Sequence, residues 1–244
     1  MYKSKVFVGL VVLLYVLFVV FEFIGYEDVA LFIESLIVPL MFLVYVFFVN
    51  NKNKLFLLFL LCYSFSDFLA LIIHCGFYKE SSFFYRFHYH IGNLLYIFAY
   101  SFLFIDVAKS LSLSYVFKNL KFHIVVLAFL NAYVVYVLQF IVSKHIEFGI
   151  EYCLELFYNI IMLLLLSLGL LNYFYKDNKK SLYLFLGVLC IVFSEFIALG
   201  YIYIAKRFLL SFLSVMISLI AFYFLFEQSK FQNKFKPFQD INKT

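Results

Sequence analysis

Two carboxylic acids stand where the chain is otherwise apolar. Asp67 lies in Phe65-Ser66-Asp67-Phe68-Leu69-Ala70-Leu71, inside the apolar run Leu55–Ile73. The phrase returns as Phe193-Ser194-Glu195-Phe196-Ile197-Ala198-Leu199, inside the run Ser181–Ile204. Both runs are long enough to cross a bilayer. An ionisable group in hydrocarbon is costly unless it is paired or wetted, so its presence points to function. Two such groups meeting in one place suit acid–base chemistry, one giving a proton while the other supports positive charge or activates water. They equally suit a proton relay.

The elements that must position this pair follow from composition. The chain is 66% hydrophobic and 14% charged, with mean hydropathy +1.03. A soluble domain carries far more charge. Eight spanning helices are predicted, at about Val6–Ile24, Val29–Val49, Leu55–Ile73, His88–Ala108, Phe122–Val142, Tyr152–Tyr173, Ser181–Ile204 and Phe208–Phe226. The expected architecture is an all-α, polytopic membrane bundle over residues 1–226, followed by a polar tail over 227–244. Lys3 and Lys5 precede the first run as in a signal peptide, but that run is of spanning length and no small-residue cleavage site follows, so it reads as a retained helix. Fourteen of the nineteen basic residues fall on one side of the expected membrane, among them Lys52, Lys54, Lys109, Lys118, Lys121, Lys176, Lys179 and Lys180. The positive-inside rule then places both termini in the cytoplasm of a multi-pass cell-membrane protein. The net charge of +5 resides mostly in these loops, and nothing supports nucleic acid as a partner.

Depth along each helix gathers the other polar residues near the pair. Glu34, Asn93, Tyr96, Glu155, Tyr158, Asn159 and Ser194 fall in the same half of the bilayer as Asp67 and Glu195. Tyr63, Asp67, Ala70 and His74 are spaced to share one helix face. Plain structural readings stand beside this. Glu34 and Glu155 can snorkel to the interface. Asn93 and Asn159 can bond between helices, and Asn131 and Gln139 read as packing contacts. Asp106 reads as the partner of Lys109 one turn away. Pro39 is expected to kink the second helix and help open a cavity. His74, His88 and His90 lack ligand spacing, and no metal or other cofactor is expected. Cys62, Cys75, Cys153 and Cys190 lack it too, and Cys75 and Cys153 fall on the same predicted side, which is compatible with a disulfide between them. The repeated phrase falls on the third and seventh segments, and the spacing of Glu34 from Met41 recurs as Glu155 and Met162 on the second and sixth. Two parallel four-helix repeats would produce this, as would chance in a Phe- and Leu-rich alphabet.

With these residues in place, the chain resembles the YhhN-like membrane proteins, the family that includes the lysoplasmalogenases. The likeness rests on Pro39-Leu40-Met41 on the second helix, Ser66-Asp67 where the family has Gly-Asp, Tyr158 and Met162 on the sixth, and Ser194-Glu195 where the family has Ser-Asp. Val38 stands at the family's Lys, and no His matches on the fourth helix, where Tyr100 is the candidate for that place.

The resemblance implies an eight-helix fold and hydrolysis of the vinyl-ether bond of a lyso-ether lipid, releasing an aldehyde. On that reading Asp67 and Glu195 are catalytic, and Glu155, Tyr158, Asn159, Asn93, Ser66 and Ser194 contact a membrane-lipid substrate. A proton-coupled transporter or ligand-sensing membrane protein is the alternative, and an assembly subunit whose polar residues join helices is a third. The oligomeric state is not legible in the sequence. The topology is directly testable: reporter fusions after Asn50, Ser114 and Asn178 should report cytoplasm, and fusions after Glu80 and Lys144 the opposite side. An odd number of crossings would also remove the parallel repeat.

Overall fold

The structure is a computed structural model that describes residues 2–49, 52–72 and 83–231; side chains are described from residue 9, and those of 83–88, 113 and 230 are not. Among the described residues it is all helix: α1 (Tyr2–Ile24), α2 (Glu27–Phe48), α3 (Lys54–Ile72), α4 (Phe83–Lys109), α5 (Leu113–Asn119), α6 (Lys121–Val142), α7 (Ile150–Lys176), α8 (Lys179–Tyr203) and α9 (Phe208–Lys230). Seven of these are long and apolar enough to span a membrane. The first expected segment is helical too, with Gly9–Ile24 its described apolar part. The chain is a multi-pass helical bundle. Every expected segment is found as a helix, and α9 runs past Phe226 to Lys230. The seven-residue α5 was not expected. It is too short for a spanning signal, and it is held by Val116, buried with Leu111 and Leu171.

Packing runs in chain order, each spanning helix against the next, except where α5 intervenes, with α4 against α7 and lighter contacts of α9 with α1 and α2 joining the halves. The result is a ring of α1, α2, α3, α4, α7, α8 and α9, with α6 outside it against α7 and only 6% of its span buried. Asn131 Nδ2 donates to Ser167 Oγ at 2.9 Å and Gln139 Nε2 to the Tyr152 carbonyl at 3.1 Å, so both residues hold α6 to α7 as packing contacts. Such bonds matter between lipid-exposed helices, where apolar contact with a neighbour gains little over contact with lipid.

Local chemistry sets the register of the two helices that carry Glu155 and Glu195. Asp177 closes α7 in the left-handed conformation, with φ 39°. Asn178 then caps α8, accepting from the Ser181 N–H at 2.9 Å while its own N–H donates to Ser181 Oγ at 3.2 Å. This reciprocal capping satisfies two orphan donors and makes the hairpin as short as it can be. Counting back from it at the rise of an α-helix, Glu155 and Glu195 differ in depth by about 7.5 Å. At the same end of the bundle Asn53 ties three helices. Its N–H donates to the Tyr45 hydroxyl at 2.9 Å and its Nδ2 to both Asp106 oxygens, at 2.7 and 2.8 Å. Asp106 therefore takes its hydrogen bonds from Asn53, and Lys109 is one of three ammonium groups whose field reaches it.

Between these ends the core is aromatic and aliphatic. Tyr45, Phe59, Tyr100, Leu103, Met162, Leu165, Val188, Ile191, Phe222 and Leu225 close the centre. Helix α2 is continuous through Pro39, which lines a separate apolar groove with Leu10, Leu14, Phe65 and Phe68 rather than the polar cavity described below. Cys62, Cys153 and Cys190 are free thiols; Cys75, like His74, lies outside the described residues.

Helices α8 and α9 approach closely at Gly187. A Cβ on Gly187 would meet Leu225 Cγ and Cδ2 at 2.8 Å and the Leu225 backbone nitrogen at 3.2 Å. A small residue here lets the backbones touch. Gly187→Val should therefore cost about 1–3 kcal/mol by overpacking, read as a lowered unfolding midpoint in detergent. Gly200→Ala, where the added carbon meets nothing within 4 Å, should leave the midpoint unchanged or raise it.

Candidate functional site

Near the ends of α3 and α8 the bundle encloses a cavity of about 320 Å³. It is formed by α2, α3, α4, α7, α8 and α9, and four carboxylic acids line it: Glu34, Asp67, Glu155 and Glu195. These sit on the second and third spans of each half, the placement that the repeated phrase and the Glu–Met spacing anticipated. The alanines three residues beyond Asp67 and Glu195, Ala70 and Ala198, line the wall in both halves, leaving room above each carboxyl. The packing between halves is less symmetric, since α4 lies along α7 while its counterpart α9 only grazes α2.

Tyrosines hold the pair. The Tyr96 hydroxyl on α4 donates to Asp67 Oδ1 at 2.6 Å, and Asp67 is only 7% exposed. Glu195 Oε1 accepts from the Tyr100 hydroxyl at 2.8 Å and more weakly from Tyr63 at 3.4 Å. Tyr158 interacts with Glu195 as well and packs edge-on against Tyr100, ring centres 5.6 Å apart. Tyr63 packs edge-on against Tyr96 at 4.9 Å and Tyr100 at 6.0 Å. Phe222 from α9 stands perpendicular to Tyr63 at 5.4 Å. Helical spacing explains the array. Tyr96 and Tyr100 are one turn apart on α4, as Tyr63 and Asp67 are on α3, so two turns of facing helices interleave phenols and carboxyls. Edge-on rings add packing energy beyond their buried area.

Of the remaining residues expected at the site, Glu155, Tyr158, Asn93 and Ser194 line the cavity. Glu155 Oε1 lies 3.4 Å from the Tyr203 hydroxyl that donates to it. Asn93 Nδ2 donates back to the Tyr89 carbonyl at 3.1 Å, and Ser194 Oγ to the Ile191 carbonyl at 2.7 Å. Ser66 and Asn159 are not among the lining residues. Ser66 Oγ donates to the Gly92 carbonyl at 2.9 Å, joining α3 to α4. Asn159 is 1% exposed, and its Nδ2 has no hydrogen-bond partner among the described residues. Glu34 and Glu155 both face the cavity.

Sequence reasoning did not single out Ser35, Ser214 and Ser218, whose side chains also reach this space. The last two are four apart on α9, a spacing that could have flagged a polar stripe in an otherwise apolar helix. No three His, Cys, Asp or Glu side chains among the described residues come together as a metal site.

This fold and site define a polytopic helical bundle with a carboxyl-lined cavity among its spanning helices. A scan against protein-family models, a search of curated proteins and a search of solved structures each found no match for the chain.

Removing a donor from a buried carboxyl leaves that group unsatisfied at about 1–3 kcal/mol, whereas removing both partners can be nearly neutral. Tyr96→Phe should thus destabilise the protein by that amount in a detergent unfolding assay. Adding Asp67→Leu to Tyr96→Phe should recover most of the loss. A double variant as unstable as the sum of its single variants would show that the Tyr96–Asp67 bond carries no coupling.

Proposed function

We propose that the protein is a YhhN-like hydrolase of the cell membrane, with both termini cytoplasmic, that cleaves the vinyl-ether bond of a lysoplasmalogen-type lipid. The observation that carries this reading is the meeting of Asp67 and Glu195 in one cavity inside an apolar bundle. The reaction needs a proton placed on the outer vinyl carbon, which leaves an oxocarbenium-like cation at the carbon bonded to oxygen. Water adds to that carbon and loses a proton, and the hemiacetal collapses to an aldehyde and the free alcohol of the glycerol backbone. One carboxyl can deliver the first proton. The other can support the cation and accept the proton from water, the division of labour of paired carboxylates at a glycosidic bond.

The surroundings fit this task. Phenols from Tyr96, Tyr100 and Tyr63 orient the two carboxyls, and a positioned acid must be held in geometry before its strength matters. Asn93, Tyr158 and Glu155 line the same space and would contact the lipid's polar part. Ser66 and Asn159 act on this reading through the packing of α3, α4 and α7 rather than by touching substrate.

The test is aldehyde release from lysoplasmalogen by the purified chain, in detergent and in lipid. Asp67→Asn and Glu195→Gln should each lower turnover by at least about 100-fold, the usual contribution of a positioned acid or base, with folded yield nearly unchanged. Glu195→Asp should keep activity. Phe68→Leu, on the side chain that points away and is 48% exposed, should change turnover little. Full activity in Asp67→Asn would refute the mechanism. A proton-coupled carrier is the second reading, favoured by the placement of the four carboxyls on matching spans of the two halves. Carboxylate-dependent proton flux in liposomes, without aldehyde release, would select it. The near-absence of helix breaks, with Pro39 alone inside a span, weighs against it.

A further inference from the structure

The cavity holds more acid than a pair of catalytic carboxyls requires. Four acidic side chains line it and, among the described residues, no Lys, Arg or His does. Asp67, Glu195 and Glu155 each accept a phenol hydrogen bond. Glu34 faces the space with no hydrogen-bond donor on it among the described residues, and its side chain is partly buried. Like-charged groups crowded in a low dielectric repel strongly unless a positive charge joins them. Such acids keep their protons or take a cation among them, and a cation that enters here meets carboxyl oxygens on several walls.

Size and geometry decide which kind. The acids are spread round a space of about 320 Å³, the lower end of the range for small-molecule pockets, and no three of them converge as ligands to a metal ion. A bare inorganic cation would therefore touch one wall and leave the others unpaired. The wall also carries the rings of Tyr63, Tyr96 and Tyr158, and aromatic rings attract bulky organic cations. We propose that this cavity binds an organic ammonium group, with Glu34 and Glu155 as its principal carboxylate contacts and the tyrosine rings enclosing its alkyl surface. Asp67 and Glu195 then remain committed to their phenol donors. The inference concerns binding alone and does not require hydrolysis.

The experiment follows thermal unfolding of the full chain in detergent, because a ligand that binds the folded state raises the midpoint by an amount set by its concentration relative to its dissociation constant. The probes are tetramethylammonium chloride and ethylammonium chloride, with tert-butanol as the neutral analogue and sodium chloride at matched ionic strength. At least one ammonium salt should raise the midpoint with a logarithmic dependence on its concentration, with tert-butanol and sodium chloride inert. Glu34→Gln and Glu155→Gln should each raise the concentration needed by about tenfold, the loss of one modest charge contact. Glu147→Gln, on the exposed connection before α7, should leave it unchanged. Equal protection by tert-butanol would make the site merely apolar. Equal protection by sodium chloride would make it an inorganic-ion site, and protection by no probe would mean no site. Each of these overturns the proposal on the parent protein, whatever the variants' yield. Because the readout is binding, its failure would leave aldehyde release untouched, and the reverse also holds.

Discussion

The structure depends on one constraint. A carboxyl group placed inside an apolar bundle must be given a hydrogen-bond donor or water, because leaving it bare costs more than most packing gains return. Here the donors are phenols. Tyr96 serves Asp67, and Tyr100 and Tyr63 serve Glu195. Tyrosine suits the role because its ring packs like phenylalanine while its hydroxyl reaches a polar partner. Tyr100 shows both at once, fully buried in the central core with its hydroxyl bonded to Glu195. The same side chains that satisfy the acids therefore also close the core beneath them.

From that constraint the arrangement of helices follows. To bring α4 phenols to acids on both α3 and α8, the fourth span must sit between the two halves, and it does so by packing on α3 and α7. The helix α6 is then left outside the ring. It compensates for thin burial with the Asn131–Ser167 and Gln139–Tyr152 bonds, which tie it to α7 alone. The far end is locked by a different polar device, in which Asn53 bridges Tyr45 and Asp106 and the Asp177–Asn178 hairpin holds α7 against α8. Two polar clusters separated by an aromatic core give the bundle a fixed register at both ends. Polar contacts between spans matter here because the hydrophobic effect does not drive spanning helices together.

The cavity is the remainder of this construction. Alanines at 70 and 198 leave room on the same faces that carry Asp67 and Glu195, and serines on α2 and α9 add polar atoms opposite. A lipid substrate and an organic cation both suit such a space, and the proposals separate them by chemistry, aldehyde release for the first and charge-dependent protection for the second.

By itself the sequence determined the spans, their order and the presence of an intramembrane polar layer. Hydropathy over some twenty residues is a strong signal because every backbone polar group in lipid must be bonded within its own helix. The repeated Ser-acid phrase on the third and seventh spans marked the pair that the cavity unites, since one helix period puts Tyr63, Asp67 and Ala70 on a common face. The tertiary structure alone decided the rest. Ser66 and Ser194 occupy the same place in the repeated phrase, yet one bonds the α4 backbone while the other bonds back to its own helix and lines the cavity, because the neighbouring helix presents a different surface to each. Tyr158 and Asn159 are adjacent, yet only Tyr158 reaches the cavity, since neighbours on a helix point about 100° apart. Pro39 turned to the apolar groove for the same reason. Depth is additive along a helix and can be read from one dimension. The direction a side chain faces becomes meaningful only when another helix supplies the facing surface.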